Sequence, residues 1–210
     1  MSYLDVSKLE MVQEITQSLE QYKAEFLNLP DFKNTTMFVK KFQTVTPQGL
    51  PVYLGKVNTY MLQIDENLLD AREQVMFGKD REANLERQRQ RRELCPLHKN
   101  FLKNNPTVRQ MFYNVLHPGA KINPHFGVNG LAVNKVPDHF RIHITIEPGD
   151  DSYFFIENLY PLKYRENLCF GFEDGLLNHW AENRGTQIRN VLILDVDKSV
   201  LPKNLTMLEV

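Results

Sequence analysis

Hydrophobic and polar residues alternate in two different ways along this chain, and the change falls near residue 108. Between residues 4 and 29 hydrophobic side chains recur every three or four positions, at Val12, Ile15, Leu19, Tyr22, Phe26 and Leu29. That spacing places them on one face of a helix, and Pro30 would end it. The pattern predicts an amphipathic helix over residues 4–29 that packs against the core of its own domain.

The next segments are shorter and more polar. Residues 37–42 and 52–56 predict short strands on either side of a turn at residues 47–49. Residues 64–94 predict helix, and residues 81–93 form the most basic run, with acidic residues interspersed. This mixture favours a solvated helix face, with nucleic-acid binding as the alternative.

From Val108 onward the pattern is that of a β-protein. The candidate strands are 112–116, 122–126, 140–146, 153–157, 168–172, 179–181 and 191–196. Turn-forming residues, mostly Gly, Pro, Asn and Asp, separate these runs. Many short strands at regular intervals are typical of a sandwich or a barrel.

Composition narrows the class of protein. The chain has 210 residues, of which 42% are hydrophobic and 24% are charged, as in an ordinary globular domain. A net charge of −1 gives no overall field that would attract nucleic acid or an anionic membrane. Two cysteines, Cys95 and Cys169, do not make a disulfide framework and fit a reducing compartment. With no apolar run of signal or membrane length, we expect a soluble cytoplasmic protein.

Three residues in the β-region carry candidate chemistry. His125 lies in a Pro-His-Phe-Gly run, His179 lies late in the same region, and Arg189 follows ten residues later at the start of an apolar run. A single histidine on such a segment is most often packed or exposed. Two imidazoles and an arginine in this order instead suggest a site that holds Fe(II) and receives a dicarboxylate. His98 and His117 have no such companions and are predicted to be structural or exposed.

Arg141 and His143 are two positions apart in a candidate strand, so their side chains share one face. Ile142, Ile144 and Ile146 then take the other face and supply apolar packing. A solvent-exposed polar face is the alternative interpretation of Arg141 and His143.

In order, the motifs are Pro118-Gly119, Pro124-His125-Phe126-Gly127, Arg141-Ile142-His143, and His179 with Arg189. Over about residues 108–197 the chain resembles the catalytic domain of the aspartyl/asparaginyl β-hydroxylase family of Fe(II)/2-oxoglutarate oxygenases. The resemblance implies a mainly β fold with some α, built on a double-stranded β-helix (a jelly-roll, cupin-like core). It also implies three parts: an N-terminal helical and short-strand elaboration (1–107), the oxygenase core (108–197) and a C-terminal tail (198–210).

The resemblance also implies roles for individual residues. His125 and His179 correspond to the two iron-binding histidines, and Arg189 to the arginine that pairs with the distal carboxylate of 2-oxoglutarate. Arg141 and His143 correspond to the pair that contacts the other carboxylate of this cosubstrate. Asn114 falls where relatives use a hydroxyl group to help hold it.

Two features depart from the usual pattern. The third ligand of a non-haem Fe(II) site is often an acid two residues after the first histidine, and that position is Gly127 here. Glu173 or Asp174 could supply an oxygen instead, but the resemblance favours two histidines completed by water. An insertion between Gly127 and Arg141 and the absence of tryptophan-rich sequence after the last strand leave the substrate open.

We therefore expect an Fe(II)- and 2-oxoglutarate-dependent dioxygenase that uses O2 and releases succinate and CO2. It would hydroxylate an unactivated C–H bond of an aspartyl or asparaginyl residue, a free amino acid or a related small molecule. The alternatives are a halogenase that admits chloride at the position left open by Gly127, a non-catalytic jelly-roll binding protein, and an interaction module built on the basic run at residues 81–92. No membrane partner is expected.

Overall fold

The computed structural model of the protein describes residues 2–30, 53–63, 81–125, 139–173 and 177–208, with the side chains of residues 81–84 and 139 left aside. Its helices are α1 (Glu10–Gln17), α2 (Leu19–Leu27), α3 (Arg81–Leu94), α4 (Pro96–Asn104) and a short 3-10 helix (Lys198–Val200). Its strands are β1 (Leu4–Asp5), β2 (Tyr53–Leu54), β3 (Val57–Gln63), β4 (Val108–Leu116), β5 (Lys121–His125), β6 (His139–Glu147), β7 (Ser152–Ile156), β8 (Leu162–Lys163), β9 (Cys169–Phe172), β10 (His179–Asn183) and β11 (Arg189–Asp197).

The strands form two antiparallel sheets. The larger sheet has the order β1-β9-β6-β11-β4-β3, and the smaller has the order β2-β5-β10-β7-β8. From β4 onward the chain moves between them, with β4, β6, β9 and β11 in the larger sheet and β5, β7, β8 and β10 in the smaller. This eight-strand arrangement is a double-stranded β-helix, or jelly roll, and it confirms the predicted mainly β fold.

Two hydrophobic clusters lie on opposite faces of the larger sheet. One fills the space between the sheets and includes Phe112, Phe154, Phe170 and Phe172. The other packs α1, α2 and α4 against the outer face, and includes Val12, Ile15, Phe26, Ile142, Ile144 and Ile146. The isoleucines of β6 therefore pack under the helices, outside the barrel. The other face of β6, which carries Arg141, His143 and Thr145, points into the barrel interior.

The N-terminal half departs from the sequence prediction in three places. The single helix predicted over residues 4–29 is two helices that meet at Ser18, whose backbone (φ −122°, ψ 27°) is not helical, and β1 precedes them. Residues 96–104, for which no element was predicted, form α4, and β3 was not predicted either. The strand predicted over residues 37–42 lies outside the described residues. No helix within the described part of the chain is long and apolar enough to cross a membrane.

The basic helix α3 is partly buried against β3. Arg91 donates to the carbonyl of Met61 at 3.0 Å, and Arg92 donates to the carbonyl of Leu62 at 2.8 Å. Earlier in the helix Arg89 pairs with Glu86 at 3.0 Å on an exposed face. The prediction of a solvated face holds for part of the helix, while two of its arginines bind the backbone of the sheet.

Candidate functional site

His125 and His179 meet inside one end of the barrel. His125 ends β5, His179 begins β10, and the two residues are direct partners in the antiparallel pairing of these strands. Their ring centroids are 4.5 Å apart, with planes inclined by 52°. The structure therefore brings together two residues that are 54 positions apart in the sequence.

Backbone carbonyls fix which nitrogen of each ring carries the hydrogen. Nδ1 of His125 donates to the carbonyl of Asn123 at 2.8 Å, and Nδ1 of His179 donates to the carbonyl of Leu177 at 2.9 Å. A carbonyl can only accept, so both Nδ1 atoms carry the hydrogen and both Nε2 atoms carry a lone pair. Protein metal sites commonly hold their histidine ligands in this way.

Both imidazoles are held neutral. Burial, with a smaller contribution from Arg141, lowers the pKa of His125 to about 4. Burial lowers the pKa of His179 well below its ordinary value, and the neighbouring His125 and Arg141 lower it further. Because a metal binds the unprotonated ring, this environment keeps both residues ready to act as ligands at neutral pH.

No third protein ligand joins these two within the described residues. The sole group of three potential ligand side chains found there is Glu25, Cys95 and His98, on the helical side of the larger sheet. Glu173, suggested by the sequence as an oxygen donor, is in no such group and forms an ion pair with Lys198 at 2.9 Å. Gly127 and Asp174 lie outside the residues that the structure describes.

The Glu25, Cys95 and His98 group has a structural explanation. His98 is bonded through both ring nitrogens, to Glu25 at 2.8 Å and to the Tyr113 hydroxyl at 2.6 Å. The Glu25 carboxylate also accepts from the backbone N–H of Leu97 at 2.9 Å, at the start of α4. His98 is thus a buried structural histidine, as the sequence suggested.

Arg189 lies in the barrel interior and is only 1% exposed. Its Nη1 donates to the Asn114 carbonyl at 3.0 Å and to the Asn114 side-chain oxygen at 2.7 Å, and its Nη2 donates to the Tyr164 hydroxyl at 3.3 Å. Its Nε is buried, and no described atom accepts from it. A buried donor without a partner is costly, so the Nε and Nη2 edge of this guanidinium suits an anionic ligand such as a carboxylate.

Arg141 faces the same interior with its charge already paired. Its Nε and Nη2 donate to the two oxygens of Asp195 at 2.6 and 2.8 Å, and its guanidinium carbon lies 5.7 Å from the centre of the Phe112 ring. Arg141 is 7% exposed and Asp195 is 1% exposed. The polar face predicted for Arg141 and His143 is therefore buried, and a solvent-exposed alternative is wrong.

His143 sits between aromatic rings and touches Tyr164. The ring centroids of Phe154 and Phe170 are each 4.8 Å from that of His143, and His143 Nδ1 lies 3.2 Å from the Tyr164 hydroxyl. Its Nε2 is buried, and among the described atoms it has no hydrogen-bond partner. Burial, then Arg189, lowers the pKa of His143 well below its ordinary value.

Three interior residues were missed by sequence reasoning. Asp195 is the direct cross-strand partner of Arg141, and only the strand pairing reveals this. The sequence does carry one signal, because Asp195 is six residues after Arg189 and so lies on the same face of β11. Thr145 follows His143 on the inner face of β6, and its hydroxyl is buried with no partner among the described atoms. Tyr164 lies just beyond β8, and nothing in its sequence neighbourhood marks it as a site residue.

Comparisons with known proteins give a matching family and several structural neighbours. A family model described as aspartyl/asparaginyl beta-hydroxylase matches residues 54–199. A cupin-like protein from Thermotoga maritima is 12% identical, with a TM-score of 0.40 over 74% of this chain and 79% of that chain. An RmlC-like cupin family protein with a double-stranded β-helix fold from Methanocaldococcus jannaschii is 14% identical, with a TM-score of 0.34 over 44% of this chain and 73% of that chain. No curated protein sequence matches the chain.

Proposed function

The chain belongs to the aspartyl/asparaginyl beta-hydroxylase family, and we propose that it is an Fe(II)- and 2-oxoglutarate-dependent hydroxylase. The observation that carries this proposal is the neighbouring pair His125 and His179, each turned by a carbonyl so that Nε2 can bind a metal. Imidazole suits Fe(II), and iron bound there would supply the activation of O2 needed to oxidise an unactivated C–H bond.

The interior also fits the cosubstrate. Arg189 presents the one buried guanidinium nitrogen without a partner among the described residues. A carboxylate could bind side-on to its Nε and Nη2, while Asn114 holds the other side of the guanidinium. Burial keeps water away from this pair and strengthens it. We assign Arg189 to the distal carboxylate of 2-oxoglutarate, with Asn114 as the residue that orients it.

Arg141 and His143 would serve the other carboxylate. The buried Nε2 of His143 could donate to it directly. Arg141 donates Nε and Nη2 to Asp195, and from this position it would add positive charge beside the carboxylate. Its charge also makes protonation of both metal-binding histidines unfavourable.

The substrate is proposed at the level of class. The family name points to an aspartyl or asparaginyl residue, and a free amino acid or related small molecule would carry the same functional groups. Succinate release measured against a panel of amino acids, amides and peptides would identify the best of them. The mass of the product then decides between hydroxylation and halogenation: a gain of one oxygen in the presence of excess bromide supports the proposal, and a bromine isotope pattern contradicts it.

The central test is an anaerobic titration of the metal-free protein with Fe(II) and 2-oxoglutarate. We expect a weak visible charge-transfer band in the wild-type protein that His125→Ala and His179→Ala abolish while the fold survives. His117→Ala is the matched control, because His117 lies on the turn between β4 and β5 and is bonded to Asn58 at 3.4 Å rather than to the site. A non-catalytic jelly-roll protein would show no band in any variant. A wild-type band that persists without His125 or His179 would overturn the metal assignment.

A further inference from the structure

The Tyr164 hydroxyl joins two residues of the proposed cosubstrate site. It accepts from Nη2 of Arg189 at 3.3 Å and lies 3.2 Å from Nδ1 of His143. Its ring also stacks against the guanidinium, with the Arg189 guanidinium carbon 4.7 Å from the ring centre. Tyr164 is 2% exposed, so these neighbours, rather than water, determine its hydrogen bonding.

The donors and acceptors around this hydroxyl leave one consistent arrangement. Arg189 can only donate, so it occupies a lone pair of the Tyr164 oxygen. Burial raises the pKa of Tyr164 to about 12, so the phenol keeps its own hydrogen. Among the described atoms, His143 Nδ1 is the acceptor within reach of that hydrogen. If Nδ1 were the donor instead, the buried phenol hydrogen would have no acceptor there, which is costly.

We propose that Tyr164 is a positioning residue that holds His143 as the tautomer with its hydrogen on Nε2. Arg189 donates to Tyr164, Tyr164 donates to His143 Nδ1, and His143 in turn presents an Nε2–H to the barrel interior, where that atom has no described partner. No proton is transferred along this series of hydrogen bonds. The series only determines which atom donates and which accepts in each bond.

This arrangement makes His143 chemically opposite to the metal-binding pair. Carbonyls hold His125 and His179 with the hydrogen on Nδ1, which leaves Nε2 as a metal ligand. Tyr164 holds His143 with the hydrogen on Nε2, which makes it a donor for an anion and a poor ligand for a cation. The inference rests on the proposed function for what is bound there, a carboxylate of 2-oxoglutarate.

The first test requires no iron or cosubstrate. Nitrogen-15 NMR of the histidine side chains in the full-length, metal-free protein distinguishes the two neutral tautomers by the chemical shifts of Nδ1 and Nε2. We expect His143 to show a protonated Nε2, with His125 and His179 as internal references of the opposite kind. A protonated Nδ1 on His143 in the wild-type protein overturns the inference, whether or not any variant folds.

The second test concerns the role of this tautomer. Tyr164→Phe should give His143 a mixture of tautomers. The concentration of 2-oxoglutarate needed for half-maximal binding should then rise about tenfold, because the charge-assisted hydrogen bond from His143 Nε2 to the carboxylate is weakened or lost. Tyr153→Phe is the matched control, since Tyr153 lies on β7 and its ring is contacted by Lys163 and Arg184, not by His143.

A double-mutant cycle separates positioning from the direct contact between Tyr164 and Arg189. In a His143→Gln background, Tyr164→Phe should weaken 2-oxoglutarate binding much less than it does in the wild-type protein. An equal effect in both backgrounds contradicts a role through His143. If the NMR shows the expected tautomer but the wild-type protein binds no 2-oxoglutarate, the proposed function fails and the assignment of the tautomer stands.

Discussion

Two buried arginines, Arg141 and Arg189, face the barrel interior, and they differ in whether a counter-ion lies beside them. Asp195 neutralises Arg141 at 2.6 and 2.8 Å, whereas among the described residues Arg189 forms its hydrogen bonds with the neutral groups of Asn114 and Tyr164. A buried charge without a counter-ion is unfavourable unless a ligand supplies one. The positive charge of Arg189 is therefore the one expected to recruit an anion.

We predict that Arg189→Ala weakens 2-oxoglutarate binding by about 2–5 kcal/mol, because a buried carboxylate then loses its charged partner. Binding of Fe(II) should change little, since the two proposed ligands, His125 and His179, are held by backbone carbonyls of Asn123 and Leu177 and not by Arg189. Calorimetric titration with each ligand separates the two effects. Arg184→Ala is the control, because Arg184 is exposed and paired with Glu182 at 2.6 Å. Unchanged affinity for 2-oxoglutarate would place its binding site elsewhere.

We predict that Asp195→Asn destabilises the metal-free protein by about 3–5 kcal/mol, the typical result of leaving one member of a buried ion pair alone. The matched control is Asp197→Asn on the same strand. Asp197 pairs with Arg109 at 2.8 Å with side chains 19% and 35% exposed, so water can replace the lost bond and about 0–1 kcal/mol is expected. Urea unfolding measures both. Equal losses would show that burial does not set the strength of the Arg141 pair.

At the scale of elements, β6 is buried on both faces. Its isoleucines pack under the helices, and Arg141, His143 and Thr145 line the barrel. A central strand is commonly apolar on both sides when it is covered on both sides. We therefore expect the polar face of β6 to be the part of the barrel interior that contacts the ligand.

Helix α3 contributes to the stability of the larger sheet through its arginines. β3 ends that sheet in the described part of the chain, and Arg92 donates to its Leu62 carbonyl at 2.8 Å. We predict that Arg92→Ala destabilises the protein by about 1–3 kcal/mol, because a charge-assisted hydrogen bond and packing are lost together. Arg89→Ala, which removes an exposed pair with Glu86, should cost about 0–0.5 kcal/mol. Thermal unfolding distinguishes the two substitutions.

Nucleic-acid binding by α3 is the alternative role of this basic helix, and it can be tested separately. The affinity for DNA or RNA would then fall steeply as the salt concentration rises. Arg89→Ala would weaken this binding while leaving the free energy of unfolding nearly unchanged. We expect no binding at physiological ionic strength. Binding that Arg89→Ala weakens would favour the interaction-module alternative.

At the scale of the whole molecule, five histidines have lowered pKa values: His98, His117, His125, His143 and His179. Burial is the leading cause in each case. Their ordinary pKa of about 6.5 applies to the unfolded chain, so below that pH the unfolded state binds more protons than the folded state. Protonation therefore favours unfolding as the pH falls, and the stabilisation is fully present above that value.

We predict that the free energy of unfolding of the metal-free protein decreases between pH 7 and pH 5. Each histidine that is protonated only in the unfolded state contributes up to about 1.4 kcal/mol per pH unit. The decrease should continue towards the pKa of about 4 of His125, and His143 and His179, whose pKa values burial also lowers, add to it. Urea unfolding at a series of pH values measures it, and His125→Asn should reduce the slope. A free energy that is flat from pH 7 to pH 5 would contradict the prediction.

The helices and the barrel share one hydrophobic cluster, which runs from Val6 and Val12 to Leu194 and Val196. The outer face of the larger sheet is covered by α1, α2 and α4. We propose that the oxygenase core at residues 108–197 depends on the preceding residues to cover that face. The division of the chain into three parts would then describe its sequence motifs and not independently folding units.

The sequence by itself determined the strands that carry the chemistry. Strict alternation places Arg141 and His143 on one face of β6, and turn-forming residues mark most of the strand boundaries, because both depend on neighbours in sequence. The helical spacing of Val12 to Leu29 likewise predicted the helices, although not the break at Ser18. These properties depend on residues that are close together in the sequence, so the sequence alone is enough to predict them.

Tertiary structure decided which side chains meet. The alignment of His125 with His179 and of Asp195 with Arg141 depends on strand pairing across 54 residues each, and Tyr164 reaches His143 and Arg189 from a separate segment. Residues with ordinary spacing in the sequence thereby acquire a fixed tautomer, a buried counter-ion or, at Arg189 Nε, a buried donor that no described atom accepts from. Hydrogen bonds act over about 3 Å in space whatever the separation along the chain, so these contacts could be known only once the two sheets had closed.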